Sequence, residues 1–301
     1  MSTSYHVAVI GLGAMGMGAA RSCLRAGLTT YGIDLSEQAR SQLQQAGAAA
    51  VMADARPLAE TLDAVLLLVV NAVQVRRILL GDEGLARHLK PGTAIMVSST
   101  IAAEEASALA AELAQLGLPM LDAPVSGGAI KADAGEMTVM AAGSDAAFDK
   151  LAPVLDAVSG KLYRVGSEPG QGSTVKIIHQ LLAGVHIAVA AEAMALASRA
   201  GVSLDLMYDV VTHAAGNSWM FENRMPRVLT GDYQARSAVD IFVKDLTLVA
   251  DTAKALRFPL PLASTALNMF LGASNAGHGQ EDDSAVIKIF SGIQLPGQED
   301  Q

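Results

Sequence analysis

Lys176 sits in Gly170-Gln171-Gly172-Ser173-Thr174-Val175-Lys176-Ile177-Ile178-His179-Gln180, where a glycine-rich approach gives way to a long apolar stretch. Removing an ammonium from water is costly, so a lysine in such surroundings needs a partner or a purpose. In a dry cleft it can exchange a proton or hold a substrate anion. His179 and Gln180 follow three and four residues on, and a helix would put all three on one face. The competing reading is a lysine whose stem lies along apolar neighbours while its ammonium stays in water.

A second constellation decides between these readings. Gly11-Leu12-Gly13-Ala14-Met15-Gly16 follows a strand-like run at 7–10 and opens a helical pattern. That context suits a dinucleotide pyrophosphate. Gly11 permits the tight turn, Gly13 lets the phosphates approach the backbone, and Gly16 allows close helix–strand packing. The helix N-terminus adds a positive field. Asp34, followed by Leu35, ends the next strand-like run, where a carboxylate can accept from the adenine-ribose hydroxyls and repels a 2′-phosphate. NAD is therefore expected and NADP disfavoured. The alternative for Asp34 is a cap on the next helix, although Ser36 is better placed for that.

A nicotinamide enzyme that oxidises an alcohol needs a proton acceptor for the hydroxyl. One cysteine, Cys23, and six scattered histidines give no metal-ligand spacing. None of the five tyrosines has a lysine four residues later. Lys176 is left as the best candidate base and electrophile.

The elements that must position these groups follow a regular rhythm. Runs at 7–10, 29–33, 64–70, 93–97 and 120–121 read as strands, with helices at 14–26 and 103–116. Residues 137–142 and 162–165 read as the last strands, separated by a helix over 145–158. Strand–helix alternation means a Rossmann-type, doubly wound, mainly parallel sheet. Beyond Gly166 helical periodicity dominates, and the glycines and proline of 166–172 mark a boundary. We expect a dinucleotide-binding domain over 1–167 and an all-α domain over 168–301.

At 301 residues and 51% hydrophobic, the composition is that of a globular protein with a sizeable core. A formal charge of −9, without a basic run, argues against a nucleic-acid partner. The N-terminal residues carry no basic targeting signal, which makes the cytoplasm the expected compartment. Residues 181–197 are apolar enough to suggest a membrane span. They hold His186 and Glu192 and are mostly small, so a buried central helix is the better account. Apolar C-terminal helices also suggest burial against another subunit, in a homodimer or homotetramer.

Four motifs in order make the chain resemble the β-hydroxyacid dehydrogenases, the family that includes 3-hydroxyisobutyrate dehydrogenase and tartronate semialdehyde reductase. They are Gly11–Gly16, Asp122-Ala123-Pro124-Val125-Ser126-Gly127-Gly128, the glycine-rich approach to Lys176, and Lys244-Asp245-Leu246. The resemblance covers essentially the full length. It implies that Ser126, Gly127 and Gly128 bind a substrate carboxylate through hydroxyl and backbone N–H groups. It implies that Lys176 exchanges the proton with the substrate hydroxyl and that Gln180 orients the substrate. Lys244 would lie on the nicotinamide side, and Val69-Val70-Asn71 and Ser99-Thr100 would touch the cofactor.

The chain departs from the family pattern in places. Val69-Val70 replaces a usual Leu-Pro and Ala102-Ala103 a usual Ser-Pro, both silent for chemistry. His179 stands where many relatives have asparagine, and it can donate, accept or titrate. It could read an extra substrate hydroxyl, or simply fill the asparagine's structural role. His179-Gln180 and Gly216-Asn217-Ser218-Trp219-Met220-Phe221-Glu222-Asn223-Arg224 resemble the branch of the family that oxidises L-threonate at C2 to 2-dehydro-L-erythronate. Ser218, Asn217, Asn223 and His179 could supply the polar contacts such a substrate needs. Trp219 and Phe221 are expected in the core or at a subunit interface. Within the same class, 3-hydroxyisobutyrate, glycerate or tartronate semialdehyde are the alternatives. A non-catalytic dinucleotide-binding reader module is the alternative from outside it, and the presence of Lys176 counts against that.

Overall fold

The computed structural model describes residues 4–296. The chain divides into two compact units, Met1–Lys176 and Ile177–Gln301.

The first unit is built on one sheet. β1 (His6–Ile10), β2 (Thr29–Ile33), β3 (Ala50–Met52), β4 (Ala64–Leu67), β5 (Ala94–Val97) and β6 (Met120–Asp122) run parallel in the order β3-β2-β1-β4-β5-β6. This is the doubly wound order, and it reverses between β1 and β4. β7 (Val125–Ser126), β8 (Met137–Ala142) and β9 (Ser159–Gly166) extend it, with β8 antiparallel to β6 and β7 and parallel to β9. The helices are α1 (Ala14–Arg25), α2 (Glu37–Gln45), α3 (Ala72–Leu80), α4 (Ala103–Gln115), α5 (Gly128–Ala134) and α6 (Asp145–Val158).

Alternation along the parallel strands accounts for the layers. Val7, Val9, Leu66 and Met96 face a core completed by Ala19 and Cys23 of α1 and Phe148 and Leu151 of α6. Ala8, Ile10, Val65, Leu67, Ile95 and Val97 face the other side, against Val75 and Leu79 of α3 and Leu109 and Leu113 of α4. Strands covered on both faces read as continuous apolar runs, as these do.

The sequence pattern differs from the structure at one strand end. The apolar run 64–70 stays in the sheet only to Leu67. The chain then turns away because Asn71 caps α3, accepting from Gln74 N at 2.9 Å, while Val70 N donates to Gln74 Oε1 at 2.8 Å. Hydrophobicity cannot show where a strand stops when the loop beyond it is apolar too.

The second unit is helical: α7 (Gln171–Arg199, which starts in the first unit), α8 (Leu204–Thr212), α9 (Trp219–Thr230), α10 (Val239–Ala255), α11 (Pro261–Ala273) and a 3-10 segment, Asp283–Ile289. Ile187, Met194, Met225, Phe242, Phe270 and Val286 are at its centre, with the Phe242 and Phe270 rings stacked 5.2 Å apart. α7 is long and apolar enough to cross a membrane by length and composition, and half of its most apolar stretch is buried.

Candidate functional site

The C-terminal ends of neighbouring parallel strands carry the residues expected around a dinucleotide: Gly11–Gly16 after β1, Asp34 and Leu35 after β2, Val69–Asn71 after β4, and Ser99 and Thr100 after β5. Two loops are tied directly, since Val69 N donates to Ser99 Oγ at 3.1 Å. Gly11 has φ +91°, and a Cβ there would lie 2.7 Å from the Leu68 carbonyl oxygen. A Cβ on Gly16 would lie 1.7 Å from Gly11 O, so helix and turn touch in a way only glycine allows. Around Gly13, by contrast, there is open space. Asp34 completes the cradle: Oδ2 accepts from Leu12 N at 2.7 Å and Oδ1 from Ser36 N at 2.7 Å. Ser36 itself caps α2 by accepting from Ala39 N, which leaves Asp34 to the turn. The Arg40 guanidinium beside it donates to the Asp34 and Leu35 carbonyl oxygens at 2.7 and 2.9 Å. A closed glycine turn, an open approach at Gly13, a helix N-terminus and a carboxylate at the second strand end fit a dinucleotide.

A second glycine turn follows β7. Gly127 and Gly128, which follow the half-buried Ser126, have φ +132° and +71°, positive values that favour glycine. Nothing would meet a Cβ on Gly128, so the space beside it is open. α5, which begins there, is packed tightly on α1: a Cβ on Gly18 would lie 2.5 Å from Asp133 N.

Lys176 lies in the second turn of α7 and is only 6% exposed. The helix start is held by a residue that motif spacing did not single out. Asp122, the fully buried last residue of β6, accepts from Gly170 N and Ser173 N at 2.8 Å each and from Ser173 Oγ at 2.7 Å. The carboxylate therefore satisfies the N–H of Gly170, just before the helix, and that of Ser173 in its first turn, where helices leave N–H groups without intrahelical partners. Burial pushes the Asp122 carboxyl above its usual range, and the hydrogen bonds from Ser173, Gly170 and Gly172 offset that only in part. Gly172 allows the close approach, since a Cβ there would lie 2.4 Å from Asp122 O. The available signal was an acid ending an otherwise apolar strand, Met120-Leu121-Asp122.

In the second unit His179, Gln180, Lys244 and Asp245 form one network. Gln180 Nε2 donates to Asp245 Oδ2 at 2.6 Å, Lys244 Nζ to Asp245 Oδ1 at 2.6 Å, and His179 Nδ1 lies 2.9 Å from Gln180 Oε1. Gln180 and Asp245 are buried, at 7% and 3% exposed. The polar side chains of 216–224 have structural partners, except that the buried Asn217 Oδ1 has none among the described residues. Ser218 caps α9, and Asn223 Oδ1 accepts from Arg224 Nη1 at 2.6 Å and Arg227 Nη2 at 3.3 Å. Asn217 Nδ2 reaches Glu222 Oε2 at 3.4 Å. Phe221 is in the core, stacked on Tyr208, whereas Trp219 is 52% exposed.

A doubly wound sheet with this cradle, continued by a helical unit, is the architecture of a dinucleotide-binding protein. Residues 6–166 match the family described as the NAD binding domain of 6-phosphogluconate dehydrogenase. Residues 170–290 match the NAD-binding family of NADP-dependent 3-hydroxyisobutyrate dehydrogenase. An L-threonate dehydrogenase from Escherichia coli is 71% identical over 295 residues, 98% of each chain. One from Cupriavidus necator is 55% identical over 98% of this chain and 99% of its own. A crystal structure from Salmonella typhimurium, described as a 3-hydroxyisobutyrate dehydrogenase, has a TM-score of 0.92 and 69% identity, covering 95% of this chain and 100% of that one. The chain belongs to the 3-hydroxyisobutyrate dehydrogenase-like, L-threonate dehydrogenase family. It is an NAD-dependent hydroxyacid dehydrogenase acting on a CH–OH group of a small hydroxyacid.

Proposed function

We propose that the protein oxidises C2 of L-threonate to 2-dehydro-L-erythronate, with Lys176 as the general acid/base. Bound NAD would supply the hydride acceptor for C2. The neutral Lys176 amine takes the C2 hydroxyl proton, and the resulting ammonium faces the new carbonyl oxygen. In the reverse direction it returns that proton. Ser126 and the N–H groups of Gly127 and Gly128 hold the carboxylate, while Gln180 and His179, one helical turn beyond Lys176, contact the substrate. Gly11, Leu12, Gly13, Ala14, Met15 and Gly16 receive the pyrophosphate, and Asp34 the adenine ribose, beside Leu35. Val69, Val70, Asn71, Ser99, Thr100 and Lys244 complete the cofactor contacts. Asp34 favours NAD because its carboxylate repels a 2′-phosphate.

The observation that carries this reading is the burial of Lys176 at 6% exposed, in a helix whose start is fixed by Asp122. The choice of L-threonate rests on the full-length likeness to L-threonate dehydrogenases. A second reading, 3-hydroxyisobutyrate, is favoured by the description of the Salmonella structure. We also assign the protein to the cytoplasm as a homodimer or homotetramer. An exposed apolar row on α7 (Ile178, Leu182, Val189, Leu196) would be covered by another subunit, and a monomer in light scattering would refute that.

Reduction of NAD and of NADP, followed over L-threonate, D-glycerate and 3-hydroxyisobutyrate, tests the substrate. L-threonate with NAD should give the highest kcat/KM, and activity on 3-hydroxyisobutyrate alone would refute the assignment. Lys176→Ala should lower kcat by about a hundredfold to ten-thousandfold while keeping NAD affinity.

A further inference from the structure

The turn between β2 and α2 is held from two sides. The Asp34 carboxylate accepts from Leu12 N and Ser36 N at 2.7 Å each, one bond to each oxygen, which leaves each oxygen able to accept another. From the other side Arg40 of α2 donates through Nη1 alone to the carbonyl oxygens of Asp34 and Leu35, at 2.7 and 2.9 Å. A guanidinium carries five N–H groups in a planar fork, so Nε and Nη2 are not spent on the turn. Arg40 is half-buried and, among the described residues, has no carboxylate within ion-pair distance, although Asp34 and Glu37 are close to it in the chain. Arg56, beyond β3, is the contrasting case: its guanidinium is committed to Asp54 at 2.6 Å and Glu83 at 2.5 Å.

Bracing two carbonyls does not call for an arginine. Leu35 is 86% exposed, so water reaches this turn and can satisfy its backbone. An unspent guanidinium fork matches a phosphate, which it can hold by two parallel hydrogen bonds. The phosphate that distinguishes NADP from NAD stands on the adenine ribose, at the hydroxyls an acid in the position of Asp34 receives. We propose that Arg40 is a second determinant of cofactor choice, a partner for a ribose 2′-phosphate that the Asp34 carboxylate masks. NADP is then excluded by repulsion at Asp34 and not by want of a cation, and removing that carboxylate alone uncovers a 2′-phosphate site. This rests on the proposed placement of the adenine ribose at Asp34.

Calorimetry on the full chain with adenosine 5′-diphosphate and adenosine 2′,5′-diphosphate reads the 2′-phosphate directly, with no hydroxyacid present. The wild type should bind the 5′-diphosphate more tightly. Asp34→Ser removes the carboxylate and keeps a short polar side chain. It should shift the ratio of the two dissociation constants towards the 2′,5′-diphosphate by about tenfold to a hundredfold. Asp34→Ser/Arg40→Met should lose most of that shift. Asp34→Ser/Arg40→Gln should lose it too, although its amide can still donate to the turn, because it carries no charge. An arginine that only braced the turn, or lay against the adenine, would affect both ligands alike. Double variants that keep the full Asp34→Ser shift would therefore overturn the inference and leave Asp34 standing as the cofactor gate. A ratio unchanged by Asp34→Ser would overturn the inference and the placement of the ribose together.

Discussion

Asp122 in the first unit and Asp282 in the second are both fully buried carboxylates, and they are satisfied by different chemistry. Asp122 is enclosed by neutral donors, the backbone N–H groups of Gly170 and Ser173 and the Ser173 hydroxyl. Asp282 accepts from the Arg227 guanidinium at 2.5 Å and from the Ser284 hydroxyl at 2.8 Å. Neutral donors fix geometry but leave the charge uncompensated, so Asp122 makes sense as an anchor for the first turn of α7, where Lys176 follows. A cation cancels the charge, so Asp282 makes sense as a fastening between α9 and the 3-10 segment. The adjacent pair does the same, with Arg224 donating to Asp283 at 2.7 and 2.9 Å.

The largest expected effect comes from breaking the cation pair. Arg227→Met leaves the Asp282 charge buried with only hydroxyl and amide donors, which should cost about 3–5 kcal/mol. Chemical denaturation would show this as a lower midpoint, while kcat, measured well below the melting temperature, should stay near wild type. A variant as stable as the wild type would mean that Asp282 needs no cation, and the contrast with Asp122 would disappear.

Breaking the neutral cage should cost less stability and more activity. Asp122→Ala leaves two N–H groups and one hydroxyl without their acceptor, a loss of about 1–3 kcal/mol in unfolding experiments. Because those groups begin the helix that carries Lys176, kcat should fall at least about tenfold at saturating substrate and NAD. Asp122→Asn keeps the size and one acceptor oxygen and should recover part of both losses. Loss of stability with unchanged kcat would confine Asp122 to the fold.

The same two carboxylates mark how far sequence could be read. The glycine turn after β1 was legible because its parts are local: Gly11, Gly13 and Gly16 within six residues, after one strand and before one helix. Asp34 was legible because a strand end fixes where an acid must stand. The face shared by Lys176, His179 and Gln180 followed from helical spacing alone. The role of Asp122 has no such local signal, because its partners lie 48 and 51 residues away and long-range hydrogen bonds have no spacing signature. Ser218 and Asn223 suggested substrate contacts by residue type. The structure gives Ser218 to the N-cap of α9 and Asn223 to Arg224 and Arg227, all partners within four residues, so the capping role of Ser218 was itself open to a local reading. β7, two residues long, and β3, three, are too short for period-two alternation to register.

The smallest expected effect carries the sharpest sign. Burial pushes the Asp282 carboxyl up, but the hydrogen bonds and charge of Arg227, with Ser284, outweigh it and leave it below the usual range. Its contribution to stability is therefore present above the ordinary carboxylate pKa and lost as pH falls through the lowered value. Asp122 stands above the usual range because burial dominates over its neutral donors. Its contribution is fully present below the ordinary pKa and lost as pH rises through the raised value. Asn at either position removes the titration and leaves a constant offset, so the slope against pH isolates the carboxylate. As pH is lowered from neutrality into and below the carboxylate range, the wild type's stability margin over Asp122→Asn should grow, and its margin over Asp282→Asn should shrink. Unfolding free energies of the three proteins across that range provide the check. Slopes of the same sign would mean that the two burials are electrostatically alike, and that hydrogen bonds from neutral donors hold a buried charge as well as a guanidinium does.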